Sequence, residues 1–328
     1  MFVFKKEQKV CRIGEVIVGG QPGENPPLMI GSMFHDGDRL LESRSQRKFD
    51  RVRATDYIKR LESLSQETGV PVLVDLQAIQ VDEMKNYIDF FVELSNLPFA
   101  IDMWRANPRM EAARYVASLG VQDRVLYNSF THWDGDIKEQ AQELKELGFR
   151  HIVIQTYEKP GQMPADTLDS LRRLLALIGE DTFETVLVDT ASVNLPSLAL
   201  ACVSSRMIKE ELGYPVGCCP TTTTATWTGL RGLWGEPGFH AVDTAAHSLA
   251  ALLWNDFIFF GPVAWASRTL LAVSVAEVIR GVLRAYETNR IPENEKHPLN
   301  LMFGEFVQLF RAELTKRSMP QQTFLTRN

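Results

Sequence analysis

The sequence predicts an α/β protein, an eight-stranded (β/α)8 TIM barrel with an N-terminal flap and a C-terminal helical extension. Three observations predict it. Short apolar runs alternate with longer amphipathic segments eight times along the chain. The apolar runs are continuous, as strands buried on both faces are. The 328 residues exceed the roughly 250 a barrel usually takes, which leaves residues for both extensions. A doubly wound sheet is the competing arrangement. It would announce a nucleotide with a glycine-rich turn after its first strand, and no run is followed by one.

In chain order, the strand runs lie at 27–33, 71–76, 99–103, 125–129, 151–156, 185–190, 215–219 and 258–263. The helix-period segments lie at 56–66, 82–94, 108–119, 137–147, 166–177, 197–212, 244–254 and 270–286. Each strand run is thus followed by at least one helix. No linker, repeat or low-complexity segment interrupts the series. The expectation is one domain over 1–328, with its core at about 27–290 and a tail at about 295–328.

Composition narrows the class. The chain is 45% apolar and 23% charged, near the globular average, which excludes disordered, collagen-like and coiled-coil readings. A formal charge of -6 argues against nucleic acid and anionic membrane as partners. Of four cysteines, Cys218 and Cys219 are adjacent, while Cys11 and Cys202 show no framework spacing. A reducing cytoplasm is expected. The first seven residues hold no leader-like apolar run. The most apolar stretch, 248–266, is interrupted by Asn255, Asp256 and Pro262, so it reads as a buried helix and strand, not a membrane span. Charge falls from roughly 30% in the first 70 residues to closer to 12% over 183–275. Within that region Trp254, Phe257, Phe259, Phe260 and Trp265 suit either a thick core or a subunit interface.

Chemistry in such a barrel belongs at the carboxyl ends of the strands. Val72-Leu73-Val74 is followed by Asp75, Phe99-Ala100-Ile101 by Asp102, Val125-Leu126-Tyr127 by Asn128, and Val186-Leu187-Val188 by Asp189. A lone Asp after a strand is usually a turn residue or helix cap. Four small acceptor-bearing side chains at one rim suit a planar heterocycle with an amino group and a ring N–H on one edge and a carbonyl on the other. A pterin or a guanine-like ring fits that description. Three neighbouring carboxylates also repel, so at least one is expected to hold a proton. A divalent metal could compensate the charge instead, with His35 and His132 nearby. No His-x-His or Glu-x-x-His pair supports one, and no metal ligand is assigned. No strand run carries the lysine of a Schiff-base enzyme, and the turn from Pro220 to Thr224 offers hydroxyls in place of phosphate-binding glycines. Cys218 and Cys219 point to opposite faces of their strand, so one belongs inside the barrel and one under a helix.

Gly19-Gly20-Gln21-Pro22-Gly23-Glu24, Leu28-Met29-Ile30-Gly31-Ser32, Val125 to Ser129, Val186 to Ala191 and Pro215 to Cys218 together resemble the H subunit family of tetrahydromethanopterin S-methyltransferase. The likeness runs from about residue 1 to 300 and is close to the bacterial members, among them the methylcobalamin:tetrahydrofolate methyltransferases of glycine betaine breakdown. More distantly the strand ends look like those of corrinoid/iron–sulfur protein methyltransferases and of the folate domain of cobalamin-dependent methionine synthase. The resemblance implies a pterin held by Asp102, Asn128 and Asp189, with Asp75 one strand earlier. It also implies that Asn128, Asp189 and Thr222 serve catalysis. Where the archaeal relatives carry Gly-Pro-Ser-Asn, this chain has Cys219-Pro220-Thr221-Thr222, so a hydroxyl of Thr222 replaces an amide near N5.

The implied reaction moves a methyl group from methylcobalamin to N5 of tetrahydrofolate by nucleophilic displacement, which needs alignment and one proton and no protein nucleophile. The chain has no Asp-x-His-x-x-Gly cobalamin signature, so the corrinoid is expected on a transient partner protein. Relatives are dimeric, and a homodimer is expected here. Two alternatives stay open. One is a tetrahydromethanopterin methyltransferase component of a larger complex, and the other is a metal-dependent barrel hydrolase or lyase.

Overall fold

A computed structural model of the chain describes residues 3–318. Positions 319–328 of the expected tail lie outside the described residues. The expected N-terminal flap is an antiparallel hairpin of β1 (Val10–Ile13) and β2 (Val16–Gly19). A second small hairpin, β4 (Leu41–Ser43) with β5 (Lys48–Phe49), follows the first barrel strand, β3 (Leu28–Met33). The other barrel strands are β6 (Val72–Gln77), β7 (Phe99–Asp102), β8 (Val125–Phe130), β9 (His151–Gln155), β10 (Thr185–Asp189), β11 (Val216–Cys218) and β12 (Phe257–Pro262). All neighbours run parallel, and β12 pairs back onto β3 with Phe257 opposite Leu28. The TIM barrel is therefore closed, with every predicted strand in it.

The outer helices are α1 (Arg51–Thr68), α2 (Val81–Leu94), α3 (Ala106–Leu119), α4 (Ile137–Glu146), α5 (Pro164–Ile178), α6 (Leu195–Glu211), α7 (Pro220–Ala225), α8 (Leu230–Leu252) and α9 (Ala266–Thr288). The extension adds α10 (Pro298–Met302) and α11 (Gly304–Ser318). Two helices start well before the apolar periodicity does. In α1, the Asp50 carboxylate accepts from Arg53 N–H at 2.9 Å, so a side-chain cap starts the helix five residues ahead of the apolar pattern. In the seventh unit the helix-period segment is read only from 244, and Gly229, Gly232, Gly235, Pro237 and Gly238 precede it, residues that weaken a helix. The chain is helical there nonetheless, and it breaks only at Gly235, whose φ is +65°.

Inside the barrel, side chains alternate along each strand. Leu28, Ile30, Leu73, Ala100, Leu126, Val153, Leu187 and Phe257 fill the lower interior, together with Cys11, Ile13 and Val18 of the hairpin. The hairpin is thus a floor plug. Gly217 makes room for this packing, since a Cβ there would lie 2.3 Å from the Phe257 carbonyl oxygen. At the floor, Lys209 and Asp256 satisfy each other. Lys209 Nζ donates to Asp256 Oδ1 and Oδ2 at 2.8 and 2.7 Å and to the Gly20 carbonyl at 3.0 Å. Asp256 also accepts from Val216 N–H at 3.0 Å. Arg280 donates to the carbonyls of Ala251 and Asn255 and pairs with Glu277 at 2.7 Å.

Of the two readings left open for the low-charge region, the burial of most of its aromatics matches the thick core. Phe239, Phe257 and Phe260 are buried in the core, Phe259 packs inside the barrel, and Trp254 is half-buried, so these aromatics fill the barrel wall and interior. The apolar residues left exposed are others: Leu271, Val275, Ile279 and Leu283 form a stripe along α9 at a spacing of four. Among the described residues, no helix is long and apolar enough to cross a membrane.

Candidate active site

One pleat above the apolar floor, the same interior columns turn polar. Leu73 gives way to Asp75 and then Gln77, Ala100 to Asp102, Leu126 to Asn128, Val153 to Gln155 and Leu187 to Asp189. Register sets their heights. Asp75 lies level with Ser32 and Ala100, one step below the row of Gln77, Asp102 and Asn128. Asp189 pairs with Gln155 across the mouth. These groups line a cavity of about 580 Å³ at the carboxyl end of the barrel, a size that takes a bicyclic ligand.

Hydrogen bonds tie the acids together. Gln77 Nε2 donates to Asp102 Oδ2 at 2.8 Å and to Asp75 Oδ2 at 3.0 Å. Asn128 Nδ2 donates to Asp75 Oδ1 at 3.2 Å. Burial raises the pKa of Asp75, against the pull of the Asn128 and Gln77 bonds. Burial and then the Asp75 charge push Asp102 well above the carboxylate range. Both carboxyls accept from the one Gln77 amide and the Asp75 charge raises Asp102, so the two titrate as a pair. Asp189 is raised to about 6 by burial, partly opposed by the bond from Ala191 N–H. That bond needs Ala191 at φ +49°, a conformation alanine seldom adopts. No ion pair among the described residues involves these three acids. Arg109, which draws Asp102 back down, is already bonded to Asp134 at 2.8 Å and to the Met103 carbonyl at 2.6 Å. The pocket thus offers carboxylate acceptors, a carboxylic acid donor and three amides around one cavity.

The structure brings together all four polar residues expected at the rim: Asp75, Asp102, Asn128 and Asp189. Thr222 also lines the cavity, with its hydroxyl donating to Cys219 Sγ at 3.1 Å. Cys219 faces the cavity and Cys218 is buried against Cys202 of α6, on opposite faces as expected. His35 sits beside Asp38 at 3.4 Å and His132 packs edge-on against Trp133. Among the described residues no group of three or more His, Cys, Asp or Glu side chains is arranged to hold a metal. Sequence reasoning missed Gln77, Gln155 and Thr221. Gln77 and Gln155 were within reach of the two-residue alternation, since each stands two positions beyond an interior residue of its strand. Gln155 Oε1 is buried without a partner. At the rim, Trp104 and Trp133 stack with centroids 5.7 Å apart, on loops that Arg109 ties together.

A family model described as the tetrahydromethanopterin S-methyltransferase MtrH subunit matches residues 6–288. The H subunit of tetrahydromethanopterin S-methyltransferase from Methanopyrus kandleri is 28% identical over 319 residues, covering 90% of this chain and 98% of the relative. Its namesake from Methanothermobacter thermautotrophicus is 29% identical over 291 residues, covering 85% and 93%. The H subunit of a putative mtx methyltransferase from Methanosarcina barkeri is 26% identical, covering 92% and 100%. Among solved structures, a Xanthomonas albilineans dihydropteroate synthase with 4-aminobenzoic acid aligns with a TM-score of 0.56 at 16% identity, over 84% of this chain and 100% of that one. A Yersinia pestis dihydropteroate synthase gives 0.53 at 13% identity, over 83% and 98%. These two share the barrel fold.

Proposed function

This chain belongs to the tetrahydromethanopterin S-methyltransferase MtrH subunit family, and on that premise we propose that it moves a methyl group between a corrinoid and N5 of a tetrahydropterin seated in the barrel mouth. The observation that carries the reading is the row of acids and amides lining the cavity, whose acids have no ion pair among the described residues. Asp102, Asn128 and Asp189, backed by Asp75, offer acceptors to the amino and ring N–H groups of the pterin and donors to its carbonyl. The raised pKa of Asp102 beside Asp75 suits one neutral and one ionised contact. Thr222 stands at the rim as the weak hydroxyl contact to N5. The walls hold N5 in place and keep water off it. The methyl-bearing corrinoid is a second substrate, brought by a separate protein that docks transiently over the mouth.

The names of the relatives favour tetrahydromethanopterin as the pterin, in a polypeptide that works with others. Tetrahydrofolate, within glycine betaine breakdown, is the second reading. It is favoured by Cys219-Pro220-Thr221-Thr222 at the site itself, where the archaeal pattern differs. We further propose a cytoplasmic homodimer joined through the α9 stripe. The test is anaerobic: the protein is mixed with methylcobalamin and each tetrahydropterin in turn, the visible spectrum follows demethylation of the corrinoid, and calorimetry measures pterin affinity. Tighter binding and faster turnover with one of the two decides between them. Binding of neither would remove the pterin reading altogether.

A further inference from the structure

Behind the cavity lies a buried polar chain that pterin binding does not use. Thr221, at the start of α7, lines the cavity, and its Oγ1 lies 3.2 Å from Nε2 of His247 on α8. His247 is fully buried. Its Nδ1 is 2.7 Å from the Asp243 backbone carbonyl, which can only accept, so Nδ1 carries the hydrogen and Nε2 presents a lone pair. The Thr221 hydroxyl therefore donates inward to His247 and leaves its oxygen lone pairs free for the cavity. The Asp243 carboxylate lies 3.8 Å from His247 Nδ1. Arg268 holds it at 2.6 Å and Thr224 at 2.7 Å. The packing is tight: Gly261, at φ +76°, would place a Cβ 2.6 Å from Thr221 Cγ2, so only glycine lets Thr221 sit there.

We propose that Thr221 and His247 form the relay that takes the proton from N5 as it is methylated. The proposal rests on the methyl-transfer reading above. The N5 lone pair forms the new N–C bond, and the electron pair of the breaking cobalt–carbon bond stays with the corrinoid. N5, now cationic, gives its proton to Thr221 Oγ1 as the Thr221 proton passes to His247 Nε2. The Asp243 carboxylate offsets the imidazolium that forms. After the product leaves, the proton returns through Thr221 to water. Thr221 is the catalytic group, and His247 acts through it. Burial keeps His247 neutral near pH 7 and so able to accept. The charged groups facing it are Asp243 on its own helix and Arg268 from α9, while α7 and β12, packed on either side, bring no titratable residue.

The test compares Thr221→Val, which keeps shape and removes the hydroxyl, with Thr221→Ser, which keeps it. Each is assayed by single-turnover demethylation of free methylcobalamin and by calorimetry of tetrahydropterin binding. The expected result is that Thr221→Val slows methyl transfer about 100-fold or more with pterin affinity within about threefold. Thr221→Ser should stay within about fivefold of wild type. His247→Gln should match Thr221→Val in rate and lose the low-pH limb of the pH–rate profile. A Thr221→Val variant as fast as wild type, or a Thr221→Ser variant as slow as Thr221→Val, overturns the relay. The wild-type arms separately read the methyl-transfer proposal: absence of wild-type binding and turnover is a failure of that reading.

Discussion

The two ends of the barrel handle buried charge in opposite ways. At the floor, Lys209 and Asp256 form an ion pair whose remaining donors and acceptors are met by the Gly20 carbonyl and Val216 N–H. At the mouth, Asp75 and Asp189 are buried and Asp102 half-buried, and their hydrogen-bond partners are amides and an N–H. Burying an unpaired carboxylate is costly, and the raised pKa values at the mouth record that cost. The Lys209–Asp256 pair is complete without a ligand, whereas the mouth is incomplete until one supplies donors. One end of the same sheet is therefore built for stability and the other for binding.

Four outcomes break or sharpen this contrast. The largest effect should come at the floor. Lys209→Met leaves Asp256 buried without its cation and should cost about 3–5 kcal/mol, read as a lower urea midpoint. A loss under about 1 kcal/mol would mean that the floor is not held by that pair. At the mouth the sign should reverse. Asp189 has a folded pKa of about 6 against an ordinary 3.8. The folded state therefore binds this proton more tightly than the unfolded state does. The resulting stability is complete below about pH 4 and is lost as pH rises through 6. Asp189→Asn should make the ligand-free protein about 1–3 kcal/mol more stable than wild type at pH 7.5, with little difference at pH 4. The same change should weaken tetrahydropterin binding by about 1.5–3 kcal/mol. Urea titrations at the two pH values, with calorimetry, check both halves.

Asn128→Ala should act more weakly, costing about 1–1.5 kcal/mol of pterin affinity. It should also raise the pKa of Asp75 further by removing one of its donors, which a carboxyl-labelled NMR titration would show. The smallest effect is expected at Thr222→Ala, whose hydroxyl is already engaged with Cys219. Methyl transfer towards the pterin should slow by no more than about tenfold, since a neutral hydrogen bond is worth about 0.5–1.5 kcal/mol. Demethylation, which needs N5 protonated, should be the slower direction near neutral pH and speed up as pH falls. A collapse of the forward rate at Thr222→Ala, with Thr221→Val harmless, would exchange the roles of the two threonines.

Much of this was legible in the chain itself. Eight apolar runs marked the eight strands because parallel strands covered on both faces exclude polar residues except at their ends. For the same reason a polar residue closing a run, such as Asp102 or Asp189, stood out. Gln77 and Gln155 did not stand out, because neither closes its run: Gln77 follows Leu76, past the Asp75 already noted, and Gln155 lies inside the run 151–156. Thr221 and His247 were not legible at all. They are 26 residues apart, on α7 and on a helix whose first half is disguised by glycines and a proline, and only the packing of α7 against α8 brings them together. The floor plug was invisible as well, since β1 and β2 are four residues each and their partners lie far along the chain.

That distance has a consequence for how the molecule is made. The Gly20 carbonyl waits for Lys209, 189 residues later, and the Asn25 carbonyl for Arg280, 255 residues later. At roughly 5–20 residues per second of synthesis, the wait for Lys209 is on the order of 10–40 s. A two-stranded hairpin is barely stable alone, and its free edges invite mispairing. The hairpin is thus made well before the side chains that seat it, and its edge stays open while those residues are synthesised.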